Sequence, residues 1–187
     1  MDLVLVHPEI PHNTGCAARL AAALGLRLHL VEPLGFSLED RYLKRAGLDY
    51  WPMVDLVVHR GWSECVAALE SESERPIGAR LQLFTARGGT SLFEAEFRDD
   101  DVLVFGCESR GLAPEIVHAH ATRRIYVPIR AEVRSLNLAN VVCLATYTAM
   151  VRAGLALPAN DGNHAPHPRA NENVLPIQRA RRSNVDA

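Results

Sequence analysis

The stretch Ile125-Tyr-Val-Pro-Ile-Arg-Ala-Glu-Val-Arg-Ser-Leu-Asn-Leu-Ala-Asn140 decides how the chain is read. It opens on a short apolar run that stops at Pro128, followed by a polar turn with Arg130, Glu132 and Arg134 and then Ser135-Leu-Asn-Leu. From Leu138 to Met150 nearly every residue is apolar, without Gly or Pro. That order predicts a strand, a turn and a helix. Leu138, Val141, Val142, Leu144, Ala145, Ala149 and Met150 spread round the whole helix. A helix apolar on all sides must be covered on all sides. In a short chain, that cover implies a second copy of the protein.

Upstream, apolar runs near Asp2–Val6, Leu26–Val31, Val54–Val58, Arg80–Thr85 and Val102–Phe105 read as strands. Cys16–Leu24 reads as a helix of small residues, capped by Asn13 or Thr14 and ended by Gly25. Ser37-Leu-Glu-Asp40 opens a short helix to about Ala46, Trp62–Leu69 forms another, and Pro114 starts one through Val117. Ser71–Pro76 reads as a solvated linker. Strands alternating with helices predict an α/β fold, a mostly parallel sheet with helices on both faces. Ligands of such sheets lie at the carboxyl ends of the strands. Three loops leave those ends, after Thr85, Phe105 and Val127, and all three are rich in Gly, Arg, Ser or Asn.

The 187 residues fit one domain with a tail, and 48% hydrophobic content fills a real core. We expect a folded domain over 1–156. From 157 to 187, prolines alternate with polar residues, and we expect a disordered tail. The apolar runs are too short for a membrane span, and the start lacks signal-peptide features, so the cytoplasm is the expected location. Cys16, Cys65, Cys107 and Cys143 form no CxxC pair, which argues against a zinc site and suits a reducing compartment; no metal is expected. A formal charge of −2 confines any nucleic-acid contact to a local patch. Neither GxGxxG nor GxxxxGK[ST] is present, which excludes the usual dehydrogenase and P-loop signatures.

Three segments then carry a resemblance: Pro8-Glu-Ile-Pro-His-Asn-Thr-Gly-Cys-Ala-Ala-Arg19, Phe105-Gly-Cys-Glu-Ser-Arg-Gly-Leu112, and Ile125-Tyr-Val-Pro128 with Ser135-Leu-Asn-Leu-Ala-Asn140. In this order they resemble the three motifs of the SPOUT RNA methyltransferases. The similarity is nearest to the small bacterial tRNA 2′-O-methyltransferases of the wobble nucleotide (the TrmL type). Arg27–Phe36 and Arg45–Tyr50 also resemble that subgroup. The likeness covers about residues 1–155.

The resemblance implies a C-terminal deep trefoil knot, a rare topology. It implies S-adenosylmethionine as cofactor and a homodimer through the C-terminal helix. The substrate would be tRNA, with leucine isoacceptors suggested, methylated at the ribose of cytidine or modified uridine 34. By position, Phe84, Gly106, Val127, Ser135, Leu136 and Asn140 would bind the cofactor. Arg19 would be catalytic, as a base or as a stabiliser of phosphate or alkoxide charge; a guanidinium holds its proton tightly. Asn13, Glu108, Arg110, Asn137 and Tyr147 would meet the substrate. Cys107 and Ser109 stand where the motif more often has proline and threonine.

Plainer readings stand beside these. Arg19 is also compatible with an ordinary surface arginine. Asn13, Ser135 and Asn137 suit helix starts and turns. Glu108-Ser-Arg110 suits a solvated turn. Arg41, Lys44 and Arg45 suit a solvated face as well as RNA, and Arg179, Arg181 and Arg182 suit a tail without a partner. The alternatives to wobble methylation are the same chemistry on another tRNA position or ribosomal RNA, and a non-catalytic cofactor- or RNA-binding protein.

Overall fold

A computed structural model describes residues 1–38 and 50–159, and the backbone of 181–182. Strands β1 (Asp2–Val6), β2 (Arg27–Val31), β3 (Asp55–His59), β4 (Leu81–Phe84), β5 (Thr90–Ser91), β6 (Val102–Phe105), β7 (Arg124–Tyr126) and β8 (Arg181–Arg182) form one sheet. Their order is β5-β7-β4-β6-β1-β2-β3-β8, and every pairing is parallel. The helices are α1 (Pro11–Leu24), α2 (Trp62–Glu70), α3 (Ile77–Arg80), α4 (Pro114–Ala119) and α5 (Leu138–Arg152).

Strand alternation divides the core in two. Leu3, Leu5, Leu28, Leu30, Leu103 and Phe105 pack with Ala17, Ala18 and Ala21 of α1 and with Val142, Ala145 and Ala149 of α5. Val4, Val6, Val31, Val102 and Val104 face the other way, against Cys65 and Leu69 of α2 and Ile116 of α4. Burial on both faces explains why these strands read as continuous apolar runs. Each such side chain contributes about 1.5–3 kcal/mol when fully buried. The alanines of α1 let α5 lie close beside it on the same face.

Several boundaries differ from the expectation. α1 begins at Pro11, five residues early, because proline suits the first helical turn. Neither Asn13 nor Thr14 caps it: Ile10 occupies that position without a side-chain cap bond. Gly25 ends the helix in a left-handed conformation, φ 68°. The strand expected from Arg80 starts at Leu81. Arg80 instead closes α3 and is buried, donating to the carbonyls of Leu69 and Asp100. β5 has two residues, too few for a pattern to show.

The helix expected from Ser37 to about Ala46, with Arg41, Lys44 and Arg45, falls outside the described residues except at its first positions. Most of the 157–187 tail does too; Arg181–Arg182 run parallel to β3. On α5, Val142, Ala145, Thr146, Ala149 and Met150 are buried. Leu144, Tyr147 and Val151 are 38%, 41% and 60% exposed. One chain therefore covers half of this apolar helix.

Candidate active site

β7 lies between β4 and β5, two strands that precede it in sequence. The chain leaving β7 runs through residues 127–137 to α5, and several of these residues line a cleft together with the ends of β4 and β6. The loops after β4, β6 and β7 meet there around a cleft of about 490 Å³. That volume suits a nucleoside-sized molecule. Phe84, Thr85, Gly106, Leu112, Val127, Ser135, Leu136 and Val141 are among its lining residues, as are Asn13, Glu108, Arg110 and Asn137. The Phe84 and Phe105 rings stack at 4.6 Å and form an apolar floor.

A hydrogen-bond lattice fixes the polar side. Glu108 accepts from the N–H groups of Glu9 at 2.8 Å and Ile10 at 3.2 Å, and from the Asn13 side-chain amide at 2.9 Å. Its carboxylate thus supplies the cap that α1 lacks locally and complements the positive end of the helix. Ser109 donates its hydroxyl and its N–H to Glu9, which holds the Glu9 carboxyl below the usual carboxylate range. Asn137 accepts from the N–H groups of Ala139 and Asn140 and caps α5. Its amide donates to Asn13 at 3.0 Å.

Gly106 lines the cleft and also has a structural reason to be glycine. A Cβ there would overlap the backbone of Gly111 and Leu112, before any ligand is considered. The turn closes through paired backbone bonds between Cys107 and Gly111, and Gly111 adopts φ +74°. Closure of the turn therefore requires the glycine.

Of the residues named from the sequence, Phe84, Gly106, Val127, Ser135, Leu136, Asn13, Glu108, Arg110 and Asn137 come together at the cleft. Arg19, Asn140 and Tyr147 are not among its lining residues. Arg19 lies six residues beyond Asn13, about 9 Å along the helix and about a third of a turn away round it. It is exposed, with its guanidinium 4.8 Å from the Tyr50 ring centroid. Asn140 and Tyr147 are also exposed. The structure adds Ile10, Ile129 and Arg134 to the lining. Arg134 stands next to Ser135, so position alone could have flagged it. Among the described residues, Arg110 and Arg134 form no hydrogen bond or ion pair, leaving two guanidinium groups available at the cleft.

A separate buried cluster lies beneath α2. His29, His59 and Cys65 are buried, with ligand-type atoms within 4.8 Å of one another. Cysteine spacing alone does not reveal this cluster, because its histidines come from two different strands. His29 Nδ1 and His59 Nε2 are 2.8 Å apart, a direct imidazole–imidazole hydrogen bond. Two nitrogens around one zinc ion would sit about 3.3 Å apart.

Fold and cleft together define an α/β protein with a candidate ligand site at the carboxyl ends of parallel strands. The SpoU rRNA Methylase family profile matches residues 1–147, and the chain belongs to that family. A tRNA (cytidine(34)-2′-O)-methyltransferase of Burkholderia pseudomallei is 47% identical over 154 residues, 82% of this chain and 96% of that protein. One of the same name from Polaromonas sp. is 43% identical over 166 residues, 88% and 95% of the two chains. A solved structure described as giving insights into 2-OH methylation of C/U34 on tRNA superposes with a TM-score of 0.74 at 48% identity, covering 82% of this chain and 95% of that one. The SpoU methyltransferase AviRb of Streptomyces viridochromogenes, solved with AdoMet, shares the fold at TM-score 0.72 and 22% identity, covering 81% of this chain and 57% of that one.

Proposed function

We propose that this chain transfers a methyl group from S-adenosylmethionine to the ribose 2′-oxygen of the wobble nucleotide, position 34, of tRNA. The observation that carries the reading is the convergence of three separated loops on one cleft of about 490 Å³. Its support is the 39–47% identity to proteins named as tRNA (cytidine(34)-2′-O)-methyltransferases.

The donor set suits the cofactor. Phe84, Leu112, Val127, Leu136 and Val141 offer apolar walls for an adenine ring. The backbone at 106–111 and 134–138 brings hydrogen-bonding groups to the same space. The cofactor supplies an activated methyl group. The chain supplies orientation of the ribose hydroxyl and charge for the phosphates beside it. Arg110 and Arg134 suit bidentate phosphate contacts.

Arg19 keeps its candidate role as stabiliser of the attacking oxygen or its phosphate, delivered from a second copy. The exposed Leu144, Tyr147 and Val151 on α5 form an apolar face adjoining α1. A homodimer through that face covers α5 and carries the partner's Arg19 toward a cleft mouth. The placement of β7 between β5 and β4 supports the trefoil threading of the family.

The test is methyl transfer by purified protein to bulk tRNA, leucine tRNAs and ribosomal RNA, with nucleoside mass spectrometry of the products. Methylation of a 34-position ribose is the expected result. Methylation elsewhere, or none with any RNA, overturns the assignment.

A further inference from the structure

The segment between β7 and α5, residues 127–137, forms one wall of the cleft through Val127, Ile129, Ser135 and Leu136. It contains neither helix nor strand, and residues 130–136 are exposed. One backbone bond lies within it, from the Val133 N–H to the Arg130 carbonyl at 3.2 Å. A strap with so few internal bonds has little intrinsic tendency to keep one shape.

Its tether comes from the loop that follows the neighbouring strand, β4. Arg87, in the loop after β4, donates from Nη2 to the carbonyls of Ala131 at 3.0 Å and Val133 at 2.8 Å. Among the described residues, no other hydrogen bond from outside the segment reaches residues 129–136. The base of Arg87 is itself held. The Thr85 hydroxyl donates to the carbonyls of Arg87 at 3.0 Å and Gly88 at 3.3 Å. Gly89 presses on the Arg124 backbone so closely that a Cβ would overlap it. Arg87 does not line the cleft, so it acts on a ligand only through the strap.

We propose that Arg87 is a positioning residue for cofactor binding: it ties the strap to the loop after β4 and so sets the width of the slot between them. This rests on the reading that the cleft takes S-adenosylmethionine. A guanidinium nitrogen can serve two carbonyls from a fixed fork, whereas a lysine ammonium sits on a mobile stem and holds them less tightly.

The probe is S-adenosylhomocysteine, titrated calorimetrically into the full chain as wild type, Arg87→Ala and Arg87→Lys. Loss of two charge-assisted bonds predicts binding weakened about tenfold in Arg87→Ala, with Arg87→Lys between it and wild type. Hydrogen exchange of the Val133 amide should accelerate in Arg87→Ala while the ligand-free melting temperature holds. In turnover, the KM for the cofactor should rise more than kcat falls. Equal affinity in wild type and Arg87→Ala, or unchanged exchange of the Val133 amide, overturns the proposal and leaves the cofactor reading intact. A wild type that takes up no ligand overturns both.

Discussion

The side-chain amide of Asn137 donates to the side-chain oxygen of Asn13 at 3.0 Å, joining residues 124 positions apart. Each holds another part of the site. Asn13 also donates to Glu108, and Asn137 caps α5. Three motifs distant in sequence thereby become one rigid frame around the cleft.

Asn137→Ala removes the α5 cap and the link to Asn13 together. Cap loss costs about 1 kcal/mol, and the orphaned Asn13 oxygen adds to it. Urea unfolding should show about 1–2 kcal/mol of destabilisation. Affinity for S-adenosylhomocysteine should fall as well, because Ser135 and Leu136 lead directly into this cap. Wild-type stability would show that the cap contributes little.

Glu108→Gln tests whether this residue is a helix anchor or a substrate contact. Its carboxylate has three intramolecular donors, and glutamine keeps the shape but loses the charge facing the start of α1. Charge-assisted bonds to backbone N–H groups support a loss of about 1–2 kcal/mol in stability. A variant with unchanged stability and raised KM for tRNA would return Glu108 to the substrate role.

Arg19→Ala should lower kcat about 100-fold or more while S-adenosylhomocysteine binds as before. The reason is geometric: Arg19 stands away from the cleft of its own chain, over Tyr50. Mixing Arg19→Ala with a cofactor-binding-deficient chain distinguishes service in cis from service in trans. If Arg19 works across the dimer, one of the two sites in the mixed dimer regains both parts and activity reappears.

The sheet was legible because buried parallel strands are continuous apolar runs, and Leu3 to Val6 or Val102 to Phe105 can hardly be read otherwise. The three loops were legible because they carry Gly, Asn, Arg and Ser where a ligand site of this fold belongs. What escaped was set by long-range contact. The N-terminal cap of α1 comes from Glu108, across 98 and 99 positions, so local spacing put it on Asn13 or Thr14. The buried pair His29 and His59 joins two strands 30 residues apart. Gly106 carries a second constraint invisible in sequence, the close approach of the Gly111–Leu112 backbone in the turn. Arg19 was placed by motif, and only the helix phase reveals that it faces away from its own cleft.

If the proposed homodimer pairs through the exposed face of α5, Val151→Glu there should shift it from dimer to monomer in light scattering. Val151 is 60% exposed in one chain, so the substitution leaves the monomer fold intact. Burying a carboxylate in an apolar interface without a partner is costly enough to break most dimers. A variant that remains dimeric would move the interface elsewhere.

The buried imidazole pair predicts the acid behaviour of the fold. Burial, with the neighbouring His29 charge, lowers the His59 pKa from 6.5 to about 4, against a weaker opposing pull from Glu64. A histidine lowered on folding binds its proton better in the unfolded chain. Its contribution is therefore whole above pH 6.5 and is lost as pH falls toward 4. Asp2, Asp100 and Glu9 are also shifted downward, so their contributions are present above their ordinary values and fade as pH drops through the lowered ones. The difference between the two His59 values amounts to about 3 kcal/mol in all, of which about 2 kcal/mol is lost between pH 7.5 and 5. Urea denaturation at those two pH values should show this loss in wild type and a shallower one in His59→Asn. Identical slopes would mean that His59 keeps an ordinary pKa in the folded protein, with its ring hydrated or its partner displaced.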